Sequence, residues 1–593
     1  YFKAKNDISS IPDIASYKPY CKDILTLYNA GVVLGSDEYG TFYPNNDIKR
    51  CEAAAIINRV AIPENRLSGS PKALPEAEFP LYFADDNGVV STLSFGTYGW
   101  DVDSRGGDRL ASSKQLSVLD IRDDSRSALL RKFNLRTSGK LTLETTLQIS
   151  NAADGFHVIL SHEDGGKAAL DLFTRGSKWY ILENGKETDT GKAVENGNLR
   201  IKAVADLDAK KTTLSFDGKL VGEYALADSG VDGVNYLIFS SEKETTCSVT
   251  PDKTKLYTGY ALNETFVSVP KGDYLPYTWT LDGASCTIDS SAFTSYDPYN
   301  LKISVESGKT ALLKTSFSPI SQKTAAEMKF LMRDYTDGLT FALTTGGADA
   351  VKIYTKGNAF YSADGIKLYE YDKNVWQTLK ITVNTFNGKV DYFIDNRKMG
   401  SGTYTASKTF DGIKFTVPAA SKALDVFTDD FLVYNMFDDE DDYVKAPNPV
   451  SSDGYKVGME VCDIWRNGFQ FGWDYTSAFE ETHPYLGMFD EGSTEAADWE
   501  NKWLSEAGVD FKLVCWYSGT STDAQKTPRN SFGLNAYMNS KYSDTVKYAI
   551  MWENSGNLPK NAADFRKNFV PYWIEYYFKD KDRYYTVDNK ALF

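Results

Sequence analysis

The chain has 593 residues, 42% of them apolar, which is too much for one core and fits roughly three to five domains of ~100–200 residues each. A formal net charge of −16 argues against a nucleic-acid partner, because phosphate binding needs a basic face, and against an anionic membrane surface. Only three histidines are present (His157, His162, His483) and the six cysteines form no CxxC pair, so a Ser-His-Asp engine, a zinc site and a disulfide scaffold are disfavoured and chemistry falls to carboxylates.

No run of 18 apolar residues occurs, so no membrane-spanning helix is expected. The chain opens at Tyr1 and stops at Phe593 inside an apolar run. It reads as a piece of a longer protein, in which a missing signal peptide says little.

Residues 16–31, SYKPYCKDILTLYNAG, place Tyr20, Ile24, Leu25 and Tyr28 at a helical period, with Gly31 as the stop. Turns follow at 37–40 and 44–47. A second helix is predicted over about 50–61, RCEAAAIINRVA, with Asp47 as its cap. Cys21 and Cys51 could pair across these helices, whereas Cys462 and Cys515 lie in apolar runs and read as buried free thiols. The segment AGVVLGSDEYGTFYPNNDIKRCEAAAIINRV resembles a surface-layer homology repeat over about residues 2–62. The family's Ile-Thr-Arg-Ala-Glu signature reads here Ile48-Lys49-Arg50-Cys51-Glu52, keeping Arg and Glu but not Thr and Ala. The resemblance implies docking on a secondary cell-wall polysaccharide of Gram-positive-type bacteria, and therefore an extracellular, cell-surface location. Arg50 and Glu52 would form the polymer site, the guanidinium fork suiting a carboxylate. Such repeats usually come in threes, and the simpler role for Arg50 is to tie its helix to a neighbouring repeat.

Between 80 and 440 the chain carries short alternating runs such as LTLETTLQI, HVILSHE and KWYILENG, separated by Gly, Asn and Asp, the pattern of all-β sandwiches. There is an internal repeat: 199–224 matches 379–404, 250–257 matches 428–434, and the spacing is close to 178 residues. Each unit has the size of one jelly roll. The pair resembles laminin-G-like or concanavalin-like sandwiches, a resemblance that implies sugar binding and, in some members, calcium. Trp179, Tyr180, Trp376 and Tyr392 are candidate stacking residues, with core filling the simpler role for any one of them. No cofactor is expected. The run DDEDD at 438–442 offers oxygen ligands of the type calcium takes, although a solvated acidic linker accounts for it more simply.

From about 450 the composition shifts, and seven of the 11 tryptophans fall in this last quarter. Strands are predicted at 456–463, 509–517 and 546–554, and helices at 493–508 (capped by Ser493, with Trp499 and Trp503 on its core face), 531–543 and about 562–578. Strand–helix alternation implies a parallel sheet, whose strand ends hold the polar and aromatic residues of a (β/α)8 barrel site. The pieces PYLGMFDEGSTEAADWENKW, AGVDFKLVCWYSG, VKYAIMWENSG and VPYWIEYYFKDKDRYYTVDNKALF resemble the glycoside hydrolase family 99-like barrel domain over about 140 residues. By that resemblance Asp490, Glu491, Trp516, Tyr517, Trp552, Glu553 and Asn554, joined by His483, would line the substrate cleft. The simpler roles are a helix-start acid for Asp490 and Glu491, a salt bridge for Glu553 and a structural turn for His483.

The expected fold class is therefore multidomain: a small α-helical anchoring repeat (1–66), two all-β jelly-roll sandwiches (80–261 and 262–438), an acidic, Pro-containing linker (439–454), and an incomplete (β/α)8 barrel (455–593). The expected function is that of a wall-anchored, secreted carbohydrate-active protein hydrolysing α-linked, α-mannan-like glycans. In the resembled family the catalytic glutamates fall later in the barrel, beyond Phe593, so no catalytic residue is assigned and the chain by itself is expected to be inactive. The alternative is a non-catalytic surface protein that binds glycans. The partners on either reading are the wall polysaccharide and a glycan, with no nucleic acid and no membrane.

Overall fold

The computed structural model describes residues 2–14, 20–44, 46–75, 77–78, 80–85, 100–104, 116–120, 126–242, 245–272, 275–292, 299–395, 397–405, 407–436, 444–452, 454–465, 484–486, 489–518, 531–553 and 558–593. Among them, no helix is long and apolar enough to cross a membrane.

The N-terminal unit has two helices, α1 (Cys21–Asn29) and α2 (Arg50–Ala61). Its small core gathers Ile8, Ile11, Ile14, Cys21, Ile24 and Tyr28. Tyr28 is fully buried and its hydroxyl donates to the Gly40 carbonyl at 3.0 Å, which ties the turn after Asp37 back onto α1. α2 starts two residues later than an Asp47 cap would place it. Lys49 is the N-cap, and its backbone N–H donates to Glu52 Oε2 at 2.8 Å. The helix buries no side chain of its own, and Ile57 and Val60 stand exposed. Cys21 is buried, Cys51 exposed, and both are free thiols.

Two antiparallel sandwiches follow, and their sheets have the same strand order. In the first, one sheet runs Leu81–Asp85, Cys247–Thr258, Lys140–Asn151, Gly197–Asp206, Lys211–Phe216, Lys219–Ala225, with Val118–Asp120 also pairing onto Cys247–Thr258. Its other sheet runs Trp100–Ser104, Ser127–Arg136, Val234–Ser241, Phe156–Ser161, Ala168–Arg175, Lys178–Glu183, Lys186–Ala193. In the second sandwich, Tyr260–Glu264 and Asn300–Val305 both pair onto Leu424–Asn435, followed by Lys323–Met332, Gln377–Asn384, Lys389–Ile394 and Arg397–Thr403, with Ser285–Asp289 as an extra edge. The facing sheet runs Trp279–Asp282, Ala311–Ser321, Thr409–Val417, Thr340–Thr345, Ala348–Lys356, Ala359–Ser362, Lys367–Glu370. Inward-facing residues of the two sheets form each core, among them Leu143, Ile201, Phe156 and Trp179 in the first and Ile381, Leu343, Phe360 and Phe431 in the second.

The duplication extends to side chains. Asp217 N donates to Arg200 O and Asp395 N to Thr378 O, both at 2.8 Å, so the units stand 178 residues apart at this hairpin. The sequence match of 199–224 with 379–404 is therefore two residues out of the structural register. In that register Lys202 opposes Glu144 and Lys380 opposes Glu327. Tyr257 donates to Glu144 at 2.8 Å, and Tyr434 donates to Glu327 in the same way.

In the first sandwich this trio is covered by the second. Lys202 Nζ lies 2.6 Å from Glu144 and donates to the Asn263 carbonyl at 3.3 Å, and Tyr277 N donates to Gly218 O at 2.9 Å. Tyr260 sits edge-on to both Tyr257 and Tyr434, with centroids 5.7 Å away in each case. Burial alone would push the Glu144 carboxyl up, but Lys202 and the Tyr257 hydrogen bond hold it below the usual range. Burial raises neighbouring Glu264, which Lys202 only partly offsets.

The last unit has three parallel strands in sequential order, Gly458–Val461, Phe511–Tyr517 and Lys547–Glu553. α3 (Thr494–Glu506) and α4 (Phe532–Asn539) make the crossovers. Ser493 caps α3 as its sequence implies, its Oγ accepting from Ala496 N at 3.1 Å. A helical stretch over 562–578, with π-helical turns before and after Val570–Trp573, returns the chain to Tyr584, which bridges Tyr548 in parallel. This is an open parallel βαβαβ run; the described residues contain no closed barrel.

Of the face that the apolar period of α3 selects, Ala496 is buried but the tryptophans are not. The helix turns Ala497, Asp498, Asn501 and Ser505 inward. Asp498 accepts from Ser540 Oγ at 2.6 Å and Lys541 N at 2.9 Å, and Asn501 donates to Ser540 Oγ at 2.9 Å. A polar lock on the turn after α4 thus takes the buried side. Trp499 is left half-buried and Trp503 exposed, 5.2 Å apart.

Candidate functional site

Strand alternation decides where the expected cleft residues of the last unit go. Residues facing the helices are Lys512, Val514 and Trp516 on the second strand and Tyr548, Ile550 and Trp552 on the third; Leu513, Cys515 and Tyr517 face the other way, beside Met551 and Glu553. Trp516 is 1% exposed. Its indole N–H donates to Tyr577 Oη at 3.1 Å, and it packs on Phe569, Tyr572 and Trp573. Trp552 packs on Phe565, Phe569 and Trp573, at 5.6–5.8 Å. Both tryptophans therefore hold the C-terminal helical stretch to the sheet, and the expectation that they line a cleft is corrected. Consecutive residues of a strand cannot share a face, so a Trp-Glu pair at a strand end divides between core and surface.

Tyr517 and Glu553 are paired across the two strands on the open face. The Tyr517 hydroxyl lies 3.3 Å from Cys462 Sγ. Burial, then Cys462, Cys515 and the charge of Glu553, raise the Tyr517 hydroxyl above its ordinary range. Cys462 is exposed and Cys515 half-buried, so neither is the core thiol its apolar run suggests. Burial and then Cys462 push the Cys515 thiol up to about 11.

Asp490 builds the turn ahead of α3, its Oδ1 accepting from Gly492 N at 2.7 Å. Glu491 closes a loop: its Oε2 accepts from Trp465 N at 2.5 Å and its own N–H donates to Trp465 O at 3.0 Å. Behind it, on the helix side, Lys512 is fully buried between Glu500 (2.5 Å) and Asp463 (3.5 Å), with Tyr537 under its ammonium at 5.0 Å. Burial and the negative charge of Asp463 push the Glu491 carboxyl up to about 8, and Lys512 counters them only in part. Burial raises the neighbouring Glu500 carboxyl as well, with Lys512 opposing it, so three acids share one lysine. His483 and Asn554 lie outside the described residues, as does the acidic run 438–442. Arg50 opens α2 on an exposed surface, whereas Glu52 is engaged in capping that helix.

The sandwiches present a second surface. Trp179 and Tyr392 are buried in the two cores, and Trp376 is half-buried with its indole N–H donating to Ala292 O at 2.7 Å; none is a free stacking face. Tyr180 points outward. It stacks on its cross-strand partner Phe173 (5.8 Å, 22°), which stacks on His157 (5.2 Å, 14°). His157 bridges Asp171 (2.8 Å) and Glu242 (3.2 Å); burial opposes its protonation, but the two carboxylates outweigh this and raise its pKa. On the equivalent strands of the second sandwich, Tyr354 and Tyr361 form the same cross-strand stack, at 5.7 Å and 21°. Both rings are half-exposed, on the face opposite the core residues Val351, Ile353 and Phe360. The sequence reading named Tyr180 but not Tyr354 or Tyr361; the signal it left unused is that Tyr361 stands at the same hairpin position of the second repeat as Tyr180 in the first.

No family model matches the chain, and no curated protein matches it; the surface-layer, laminin-G and family 99 resemblances stand on the quoted residues alone. Solved structures give slight likenesses. A sialidase is 11% identical, with 47% of this chain and 32% of that chain covered and a TM-score of 0.24. The N-terminal CBM22-1–CBM22-2 tandem domain of Xyn10C from Paenibacillus barcinonensis is 9% identical, with 61% of this chain and all of that one (100%) covered, at 0.20. The lectin UEA-II complexed with galactose is 10% identical, covering 30% and 100%, at 0.22. Likeness of this size leaves the sandwiches defined by their own strand order.

Proposed function

We propose that the chain is a glycan-binding protein whose tandem sandwiches carry the recognition surface. The observation that supports this is the half-exposed Tyr354–Tyr361 stack of the second unit, with Tyr180 at the equivalent place of the first over a buried Phe173. Flat ring faces with a polar hydroxyl rim suit a sugar's apolar face and its hydroxyls. The second pair is the more open, since Arg175 and His157 cover Phe173. The test is a glycan array probed with the whole chain and with a Tyr354→Ala/Tyr361→Ala variant. Binding of at least one glycan class that the variant loses is expected. An array with no bound glycan, or one the variant binds unchanged, contradicts the proposal.

The finer reading places these sandwiches in a secreted, wall-attached protein, with the N-terminal unit docking on a cell-wall polysaccharide through Arg50. The last unit would then be the start of a family 99-like barrel acting on α-linked glycans. The sequential parallel strands and the Tyr517–Glu553 pair on the open face favour that hydrolase reading. Glu553 would contact substrate there, with the acid and base supplied by residues beyond 593. Sugar release from α-mannan by a longer product of the gene, lost on Glu553→Gln, is its test; intact activity in that variant removes Glu553 from the site.

A further inference from the structure

Two of the free cysteines meet on the open face of the last unit. The register Val461↔Val514 between the first two parallel strands, carried one residue further, sets Cys462 opposite Cys515, and residues paired this way point to the same side of the sheet. The side chains agree with that register. The thiols of Cys462 and Cys515 are in hydrogen-bonding contact, and Cys462 Sγ lies 3.3 Å from the hydroxyl of Tyr517, two residues along the same face of the second strand. Neighbouring strands stand about 4.8 Å apart, within the ~4.4–6.8 Å that a disulfide spans between Cα atoms.

The two thiols differ in the way a stepwise oxidation needs. Cys462 is exposed, whereas Cys515 is half-buried, and burial followed by Cys462 pushes its thiol up to about 11. An oxidant in solution therefore meets Cys462 first, with Cys515 beside it as the second thiol. The Tyr517 hydroxyl stands where it can donate to the Cys462 thiolate, the attacking form. Of the other four cysteines, Cys21 and Cys247 are buried in cores, Cys286 is half-buried against the core of the second sandwich, and Cys51 is exposed on α2.

We propose that Cys462 and Cys515 are an oxidation site that closes to a disulfide across the first two strands when the chain meets a low-molecular-weight disulfide such as oxidised glutathione. The Cys462 thiolate attacks one sulfur of the oxidant. The oxidant's S–S bond breaks, a mixed disulfide forms on Cys462, and the first glutathione leaves as a thiolate that takes up a proton. Cys515 gives up its proton and attacks Cys462 Sγ; the protein disulfide forms and the second glutathione leaves in the same way. The two protein thiols lose two electrons together, and one molecule of oxidised glutathione becomes two of reduced glutathione. The site is independent of glycan binding. Its bond closes the first crossover, α3 included, into a ring and pins the end of the first strand, where Asp463 meets Lys512. Closing that ring restricts the unfolded chain, so the oxidised unit resists urea better than the reduced one.

The test is tryptic mapping by mass spectrometry of the whole chain after incubation with oxidised glutathione, with and without later reduction. Peptide 457–466 should be found linked to peptide 513–526, as a species that a reductant splits. Cys515→Ser should instead keep glutathione on Cys462, and Cys462→Ser should leave Cys515 reduced. Glutathione on exposed Cys51 in all three proteins shows that the oxidant was active. A wild-type chain whose Cys462 keeps its glutathione, whose two thiols stay free while Cys51 reacts, or whose Cys462 links to any other cysteine overturns the assignment. The urea midpoint of the tryptophan signal should rise on oxidation of the wild type and stay in place for Cys515→Ser; a wild-type midpoint that does not rise overturns the bracing role of the bond.

Discussion

Glu491 is the residue whose chemistry departs furthest from what its position in the sequence implies. Before a helix it reads as a charge favouring the helix's positive end, yet in the fold it is buried beside Asp463 and carries a proton up to about pH 8. A raised carboxyl means that the folded state binds the proton more tightly than the unfolded chain does. Stability is therefore lost as pH rises from the ordinary carboxylate range near 4.5 toward 8, with a slope of up to ~1.4 kcal/mol per pH unit. Glu491→Gln keeps a neutral group in place and should flatten that dependence. Tryptophan fluorescence during urea unfolding at pH 5, 6.5 and 8 reads it out, since most of the tryptophans lie in this unit. A wild-type midpoint that does not fall with pH would contradict the assignment. The carboxylate itself was visible in the sequence. Its burial was not, because burial depends on Asp463 and Lys512, which reach it only through the fold.

Single elements show the same division between what periodicity reveals and what it hides. The helix over α3 and its Ser493 cap could be read from the sequence, but its buried face could not. Apolar spacing selects the tryptophans, while the structure buries Asp498 and Asn501 to hold the turn after α4. Likewise the strands ending in Trp516 and Trp552 could be read, but which of two adjacent residues faces the helices depends on register. Lys512 sits at the centre of this layer. Lys512→Met leaves Glu500 and Asp463 without their cation and should cost about 3–5 kcal/mol, seen as early loss of the tryptophan signal in urea, with the sandwiches' β-sheet signal unchanged. A loss below about 1 kcal/mol would mean the buried charges are solvated by another route. At the hairpin, Gly218→Ala puts a Cβ at positive φ and against Val269; a cost of about 1–3 kcal/mol to the first sandwich is expected, from strain and clash together. An unchanged melting temperature would show that the junction yields.

At the scale of the whole molecule, the duplication is the best-read feature. The repeat and its spacing near 178 residues were legible, and identical strand order with a repeated Glu–Lys–Tyr trio accounts for them. What the sequence could not supply is how the copies differ in use. The first trio is sealed by Asn263 and Tyr260 of the second sandwich, so one copy's sheet face becomes a junction, and of the two aromatic stacks only Tyr354–Tyr361 leaves both rings half-exposed. On the proposed glycan-binding reading, recognition depends on the more open pair, Tyr354–Tyr361. The most direct measurement is the affinity of the whole chain for the best glycan on the array, compared with that of Tyr354→Ala/Tyr361→Ala at matched folding by circular dichroism. Losing two stacking rings should weaken binding at least about tenfold, roughly 1.4 kcal/mol. Equal affinity in the two proteins would remove the aromatic stack as the recognition surface and, with it, the account's central claim.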